Sequence, residues 1–160
     1  LILWQPFVAR VNSTLNACAS RGRRYVGIAG YRSNAEQDAL YAIGRTTGKP
    51  GHIVTRVKGG QSRHQHYCAI DFALDADPLK LGLQPDFDDE HYRMLAEEAV
   101  RSGLEAGFYW SSEGRTGWRD PPHLEAPLKR WGITAALLER ARAAQGRDGV
   151  IALLDALARW

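Results

Sequence analysis

His64, Asp71 and His123 are the residues of this sequence whose types and order best suit a metal centre. His64 and Asp71 stand seven positions apart in Q-S-R-H-Q-H-Y-C-A-I-D-F, and His123 follows in R-D-P-P-H-L-E. Two imidazoles and a carboxylate make a set of the kind that holds a catalytic zinc ion and leaves one position open for water. Asp120 precedes His123 by three residues. The intervening Pro121 and Pro122 exclude regular helix or strand there, so both side chains could face one cavity. A carboxylate beside a metal-activated water is the general base that hydrolysis needs. Arg32 could place positive charge against the oxyanion that develops at a scissile carbonyl. His66, two positions from His64, is an alternative ligand, while His52 and His91 read as solvent-facing. Spacing alone does not separate this chemistry from a scatter of histidines and acids.

The elements that must position these groups follow from periodicity. Between Trp4 and Ser20, Phe7, Val8, Val11, Leu15 and Ala19 recur at helical spacing. Tyr25 to Ala29 is a short β-branched and aromatic run that reads as a buried strand. Ser33 or Asn34 can cap a helix through A-E-Q-D-A-L-Y-A-I-G-R, with Leu40 and Ile43 as its inner face. Thr46 to Gly60 holds four glycines and a proline and reads as a loop. Tyr67 to Ala73 is an apolar run, a core strand in which Asp71 would be a costly buried charge unless paired or metal-bound. Residues seven apart in one strand point to opposite faces. A shared metal therefore requires His64 to lie in the turn before the strand, or a bulge to intervene.

Asp75 to Phe87 reads as a loop, and Asp88, Asp89 and Glu90 as the acidic start of a helix ending near Gly103. Leu104 to Trp110 is a candidate strand, S-S-E-G-R-T-G a turn, and two helices close the chain, at 134–144 and 150–159. With no repeat, low-complexity tract or linker, the pattern is one α+β domain over 1–160.

Composition bounds the partners. Of 160 residues, 44% are apolar and 24% charged, as in an ordinary soluble domain, and no stretch approaches a membrane span, so membrane insertion is not expected. Lys plus Arg exceed Asp plus Glu by 21 − 18 = 3, a balance that suits an anionic polymer such as a bacterial wall or nucleic acid. Arg21, Arg23 and Arg24 follow a helix C-terminus, where cations compensate the dipole, and no nucleic-acid motif accompanies them. Nucleic acid is therefore not an expected partner. Cys18 and Cys68 form no metal-binding pair, and a disulfide between them stays open. The opening L-I-L-W-Q-P-F carries no basic segment ahead of an apolar run, so no signal peptide is visible.

S-R-H-Q-H-Y-C-A-I-D resembles the S-x-H-x-x-G-x-A-x-D motif of zinc D,D-carboxypeptidases of the VanY kind and of L-alanyl-D-glutamate endopeptidases of the phage-endolysin type. W-R-D-P-P-H-L-E is similar to their second motif, a tryptophan followed by D-x-x-H, and G-Y-R-S-N-A-E-Q-D-A-L-Y-A-I-G-R to an upstream block of the endopeptidase branch. The resemblance covers Gly30 to Glu125 with the blocks in the family order. It implies a small α+β fold of the hedgehog/D,D-peptidase kind, with a central antiparallel sheet flanked by helices and one zinc ion. His64, Asp71 and His123 would be ligands, Asp120 the base, and Arg32 the stabiliser of the tetrahedral intermediate. Ser62 and Gln37 fall at motif positions near substrate, and Trp118 is a candidate wall of the substrate groove.

Two positions depart from the pattern: Tyr67 replaces a glycine, and Leu124 stands where an aromatic is common. The implied activity is cleavage of the L-Ala–D-Glu bond of the peptidoglycan stem peptide, by a monomer working at the bacterial wall. The alternatives are a D-alanyl-D-alanine carboxypeptidase and a zinc-stabilised wall-binding module without turnover.

Overall fold

Antiparallel pairing around one central strand organises the computed structural model, which describes residues 2–110 and 119–160. In chain order the elements are α1 (Gln5–Ser20), β1 (Tyr25–Ala29), α2 (Asn34–Ala42), β2 (Ala69–Asp75), β3 (Pro85–Asp86), α3 (Arg93–Arg101), β4 (Glu105–Ala106), β5 (His123–Glu125) and α4 (Ala135–Leu157). Short 3-10 turns lie at Arg63–His66, Asp89–Tyr92 and Gly107–Tyr109. The S-S-E-G-R-T-G segment and Trp118 fall outside the described residues. By internal contacts the chain forms two compact units. Among the described residues, one, the sheet unit, comprises 3–30, 69–110, 119–127 and Trp160; the other, the helical unit, comprises Ile2, Tyr31–Cys68 and Leu128–Arg159.

In the sheet unit the strand order is β1-β2-β5-β4, all antiparallel, with β3 paired to the end of β2. β2 is almost wholly buried, as its apolar run predicts, with Asp71 the partly exposed exception. α1 buries Phe7, Val11, Thr14 and Cys18, a stripe at helical spacing, and packs on α3. Burial, followed by the nearby Glu98 charge, pushes the Cys18 thiol up to about 11. Cys18 and Cys68 are both buried, and no disulfide joins them in this structure.

Two expectations need correction in this unit. The 75–87 segment is not all loop, because Pro85 and Asp86 pair with Asp75 and Leu74. The Tyr92 hydroxyl ties this pairing down by donating to the carbonyls of Phe72 and Asp86 and accepting from the Leu74 N–H. The 104–110 stretch is extended only at Glu105–Ala106 before it curls into a 3-10 turn at Gly107.

In the helical unit, α2 opens with a reciprocal capping box between Ser33 and Glu36. Its buried residue is Gln37, whereas Leu40 and Ile43, the expected inner face, are only half-buried. This short helix is anchored by a polar side chain. α4 is interrupted at Gln145 and Gly146, where φ and ψ leave the helical region, so the two expected terminal helices meet end to end. Among the described residues no helix is long and apolar enough to cross a membrane.

Candidate metal centre

The sheet unit places two of the three predicted metal ligands by register. Asp71 of β2 and His123 of β5 are direct antiparallel partners, so their side chains emerge on one face. Asp71 Oδ1 lies 2.9 Å from Nδ1 of His123. Glu125, two residues on along β5 and therefore on the same face, brings Oε2 to 3.1 Å from the other ring nitrogen, Nε2. The His123 ring is thus held between two carboxylates, with Trp110 tilted against it at a centroid distance of 4.9 Å.

Burial alone would lower the pKa of this imidazole. Hydrogen bonds and charge from Asp71 and Glu125 outweigh it and raise the pKa to about 10. The physical content is plain: this spot calls for a cation. A proton supplies it in the bare protein, and a metal ion bound at a ring nitrogen would supply it instead.

Asp120 is fixed through its backbone. Its N–H donates to the Gly107 carbonyl at 3.1 Å, and its own carbonyl accepts from the His123 N–H at 3.0 Å, closing a turn over Pro121 and Pro122. The Pro122 carbonyl accepts from the Phe72 N–H of β2. Gly107 is essential to this packing, since a Cβ there would stand 2.3 Å from the Asp120 oxygen.

The helical unit carries the other predicted residues. His64 is buried in the 3-10 turn, before β2 and outside it, as a shared metal demanded. Ser62 caps this turn: its Oγ accepts from the His64 N–H at 3.3 Å, and its N–H donates to Gln65 Oε1 at 2.9 Å. The Arg32 N–H donates to the His64 carbonyl at 3.3 Å. Gln37 gathers the neighbourhood. Its Oε1 accepts from Arg32 Nη1 at 3.0 Å and from Gln65 Nε2 at 3.3 Å, while its Nε2 donates to Thr55 Oγ1 and the Val57 carbonyl. Arg32, Gln37, Ser62 and the His64 backbone therefore belong to one network. Trp118 cannot be placed, lying outside the described residues.

His66, the alternative ligand, sits fully buried with Nε2 3.6 Å from Glu139 of α4, its pKa lowered to about 4 chiefly by burial and then by Arg63. Tyr67, at the glycine position of the motif, adopts the left-handed φ of 61° that glycine would favour. Its ring stacks on Tyr31 at 4.7 Å with the planes 5° apart.

Among the described residues, one group of histidine, cysteine and carboxylate side chains could hold a metal ion, and it is His64, Asp71 and His123. Glu125 and Gly107 were missed by the sequence reading. The signal for Glu125 was present, because H-L-E at the end of an apolar strand puts the first and third side chains on one face. Nothing local marks Gly107.

Residues 3–125 match the family model of VanY, D-alanyl-D-alanine carboxypeptidase. The chain is 37% identical over 110 residues to the peptidoglycan L-alanyl-D-glutamate endopeptidase CwlK of Bacillus subtilis (strain 168), covering 68% of this chain and 64% of that one. It therefore spans just under two thirds of that relative's length. Among solved structures, the L-Ala D-Glu endopeptidase ChiX of Serratia marcescens aligns with a TM-score of 0.51 at 16% identity, over 77% of this chain and 82% of that one. VanYB in complex with D-alanine-D-alanine aligns with a TM-score of 0.54 at 19% identity, over 81% and 78%. A vancomycin-resistance D,D-pentapeptidase VanY in complex with Zn(II) aligns with a TM-score of 0.52 at 18% identity, over 81% and 79%. These likenesses show a shared fold.

Proposed function

This chain belongs to the VanY, D-alanyl-D-alanine carboxypeptidase, family, and on that premise we propose that it is a zinc peptidase that cleaves the L-Ala–D-Glu bond of the peptidoglycan stem peptide. The whole of 1–160 acts as a single zinc peptidase domain, as a monomer at the bacterial cell wall. His64, Asp71 and His123 hold the one zinc ion, and the donor set fits it: two neutral nitrogens, one carboxylate and a local demand for positive charge at His123. When bound, zinc supplies Lewis acidity to the attacking water and the scissile carbonyl.

The chain's own groups do the rest. Asp120 takes the proton from the water as it attacks, then returns it to the amine of D-Glu as the C–N bond breaks. Arg32, oriented through Gln37, meets the negative charge that develops on the carbonyl oxygen. Ser62, Gln37 and Trp118 are the residues that the family motifs and the sequence assign to substrate binding.

The observation that carries the choice of bond is the 37% identity to a relative whose name states that specificity. A second reading, removal of the terminal D-Ala, is favoured by the family description and by the neighbour that holds D-alanine-D-alanine. One experiment separates them. The zinc-loaded protein is incubated with L-Ala–D-Glu–diamino acid–D-Ala–D-Ala and the products weighed by mass spectrometry. Release of free L-Ala is expected. Loss of the terminal D-Ala alone would transfer the assignment to carboxypeptidase, and no cleavage of peptide or wall sacculi would leave a wall-binding module.

A further inference from the structure

We propose that Glu125 is a positioning residue of the metal centre: by accepting the Nε2 proton of His123, it fixes the tautomer in which Nδ1, the nitrogen beside Asp71, offers its lone pair to the ion. The inference rests on the zinc reading above and concerns a residue that acts through His123.

A neutral imidazole carries one proton and has two nitrogens to put it on. Here each nitrogen faces a carboxylate, Asp71 Oδ1 at 2.9 Å from Nδ1 and Glu125 Oε2 at 3.1 Å from Nε2. Both carboxylates can only accept, and in the bare protein the cationic ring offers one N–H to each of them. A metal ion would take the place of the proton at one nitrogen. Asp71 and His64 are the side chains grouped with His123 as possible ligands, and Glu125 is not among them. The ion therefore belongs at Nδ1, and the remaining proton is committed to Nε2 and to Glu125. A carboxylate partner at that position also raises the basicity of the opposite lone pair, the role such partners commonly play at metal-bound histidines.

The strand makes Glu125 well suited to hold the ring. β5 is a three-residue strand, so His123 and Glu125 share one face while Leu124 between them is fully buried. The Glu125 side chain is only 8% exposed, so its carboxylate is shielded from water that would compete for the imidazole proton. Across the sheet it faces Ala69 of β2 on one side and Glu105 of β4 on the other. A carboxylate this buried is expensive unless paired, and His123 is the partner that the strand periodicity provides.

The test compares zinc affinity in the unsubstituted protein, Glu125→Gln and Glu125→Ala, measured by competition with a chromogenic chelator. Circular dichroism of the metal-free forms reports folding. Glu125→Ala should weaken zinc binding by about 10- to 100-fold, the range seen when outer partners of metal-bound histidines are removed. Glu125→Gln, whose amide oxygen still accepts, should recover part of that loss. Should the alanine variant fail to fold, the glutamine variant and a second measurement decide. Long-range proton–nitrogen NMR of the zinc-loaded unsubstituted protein should show His123 protonated at Nε2. Unchanged zinc affinity in the folded variants, or a proton on Nδ1 in the zinc-loaded protein, would overturn the inference while leaving the zinc reading standing. An unsubstituted protein that binds no zinc would overturn both.

Discussion

The sheet unit and the helical unit place their functional residues by different means. In the sheet unit the backbone does it. Asp71 and His123 face each other because β2 and β5 pair in one register, and Asp120 is set by main-chain bonds to Gly107 and His123. In the helical unit side chains do it. Arg32, Gln65 and the 55–57 segment converge on the amide of Gln37, and the turn bearing His64 is capped by Ser62. A ladder tolerates most side-chain changes but fails if the backbone is displaced, whereas a polar network fails one side chain at a time. The two units should therefore break differently, and substitutions can expose the difference.

The largest effect should come from removing a reacting group without disturbing either scaffold. Asp120→Ala leaves the backbone bonds to Gly107 and His123 in place, so fold and zinc content should be unchanged. Turnover should fall by about 10²- to 10⁴-fold, the usual contribution of a general base. Retention of full activity in stem-peptide cleavage would remove Asp120 from the mechanism.

Gly107→Ala probes the backbone placement itself. The added Cβ would stand 2.3 Å from the Asp120 carbonyl oxygen, a main-chain atom that no rotamer change can move aside. Overpacking of this kind costs about 1–3 kcal/mol, and a displacement of Asp120 near 1 Å is worth about 10²-fold in rate. Denaturant unfolding and kcat measured together should both report it. A fully active, fully stable Gly107→Ala protein would show that the turn is not held by this contact.

Tyr67→Gly tests the side-chain logic of the helical unit. Glycine would relieve a left-handed backbone worth about 1–2 kcal/mol. It would also delete a ring that is 6% exposed and stacked on Tyr31, a loss of about 3–5 kcal/mol on the scale of buried aromatics. The ring wins, so the variant should be less stable by about 2 kcal/mol. A more stable variant would mean that the stack contributes little and that strain dominates this position.

The sequence showed most of what depends on local pattern. Helix periodicity gave α1, the Ser33 box gave the start of α2, and the run around Asp71 gave β2. The requirement that His64 precede the strand was also legible, since period two forbids a seven-residue pair from sharing a face. What escaped depends on distant backbone. Pro85 and Asp86 become a strand only because β2 is there to pair with them, and Gly107 matters only because Asp120 arrives beside it from thirteen residues on. Gln37 was named as a motif position, but its burial escaped: a glutamine on an amphipathic helix is ordinarily a surface residue, and this one is buried by four partners brought together by the fold.

The smallest effect should come from a second polar cluster of the helical unit, around Glu139, and it is resolved by pH. Glu139 of α4 accepts from Arg142 Nε at 2.9 Å and from Asn34 Nδ2 at 3.1 Å, and lies 3.6 Å from His66. The bond to Arg142 leads in lowering its pKa to about 2; burial opposes it, and Asn34 and the neighbouring charges add to it. A carboxyl depressed in the folded state stabilises fully above its ordinary value of 4.5, and that stability is lost as pH falls through the folded value. The group is partly solvated, so the contribution is on the order of 1 kcal/mol rather than the full shift. Glu139→Gln keeps the bond to Asn34 and removes the titration. Urea midpoints of the metal-free proteins should differ at pH 7 and converge as pH drops from about 4.5 toward 2, the window set by the lowered carboxyl. Parallel curves across that window would mean that Glu139 binds its partners no more tightly folded than unfolded. α4 would then hold the turn without a contribution from this carboxylate.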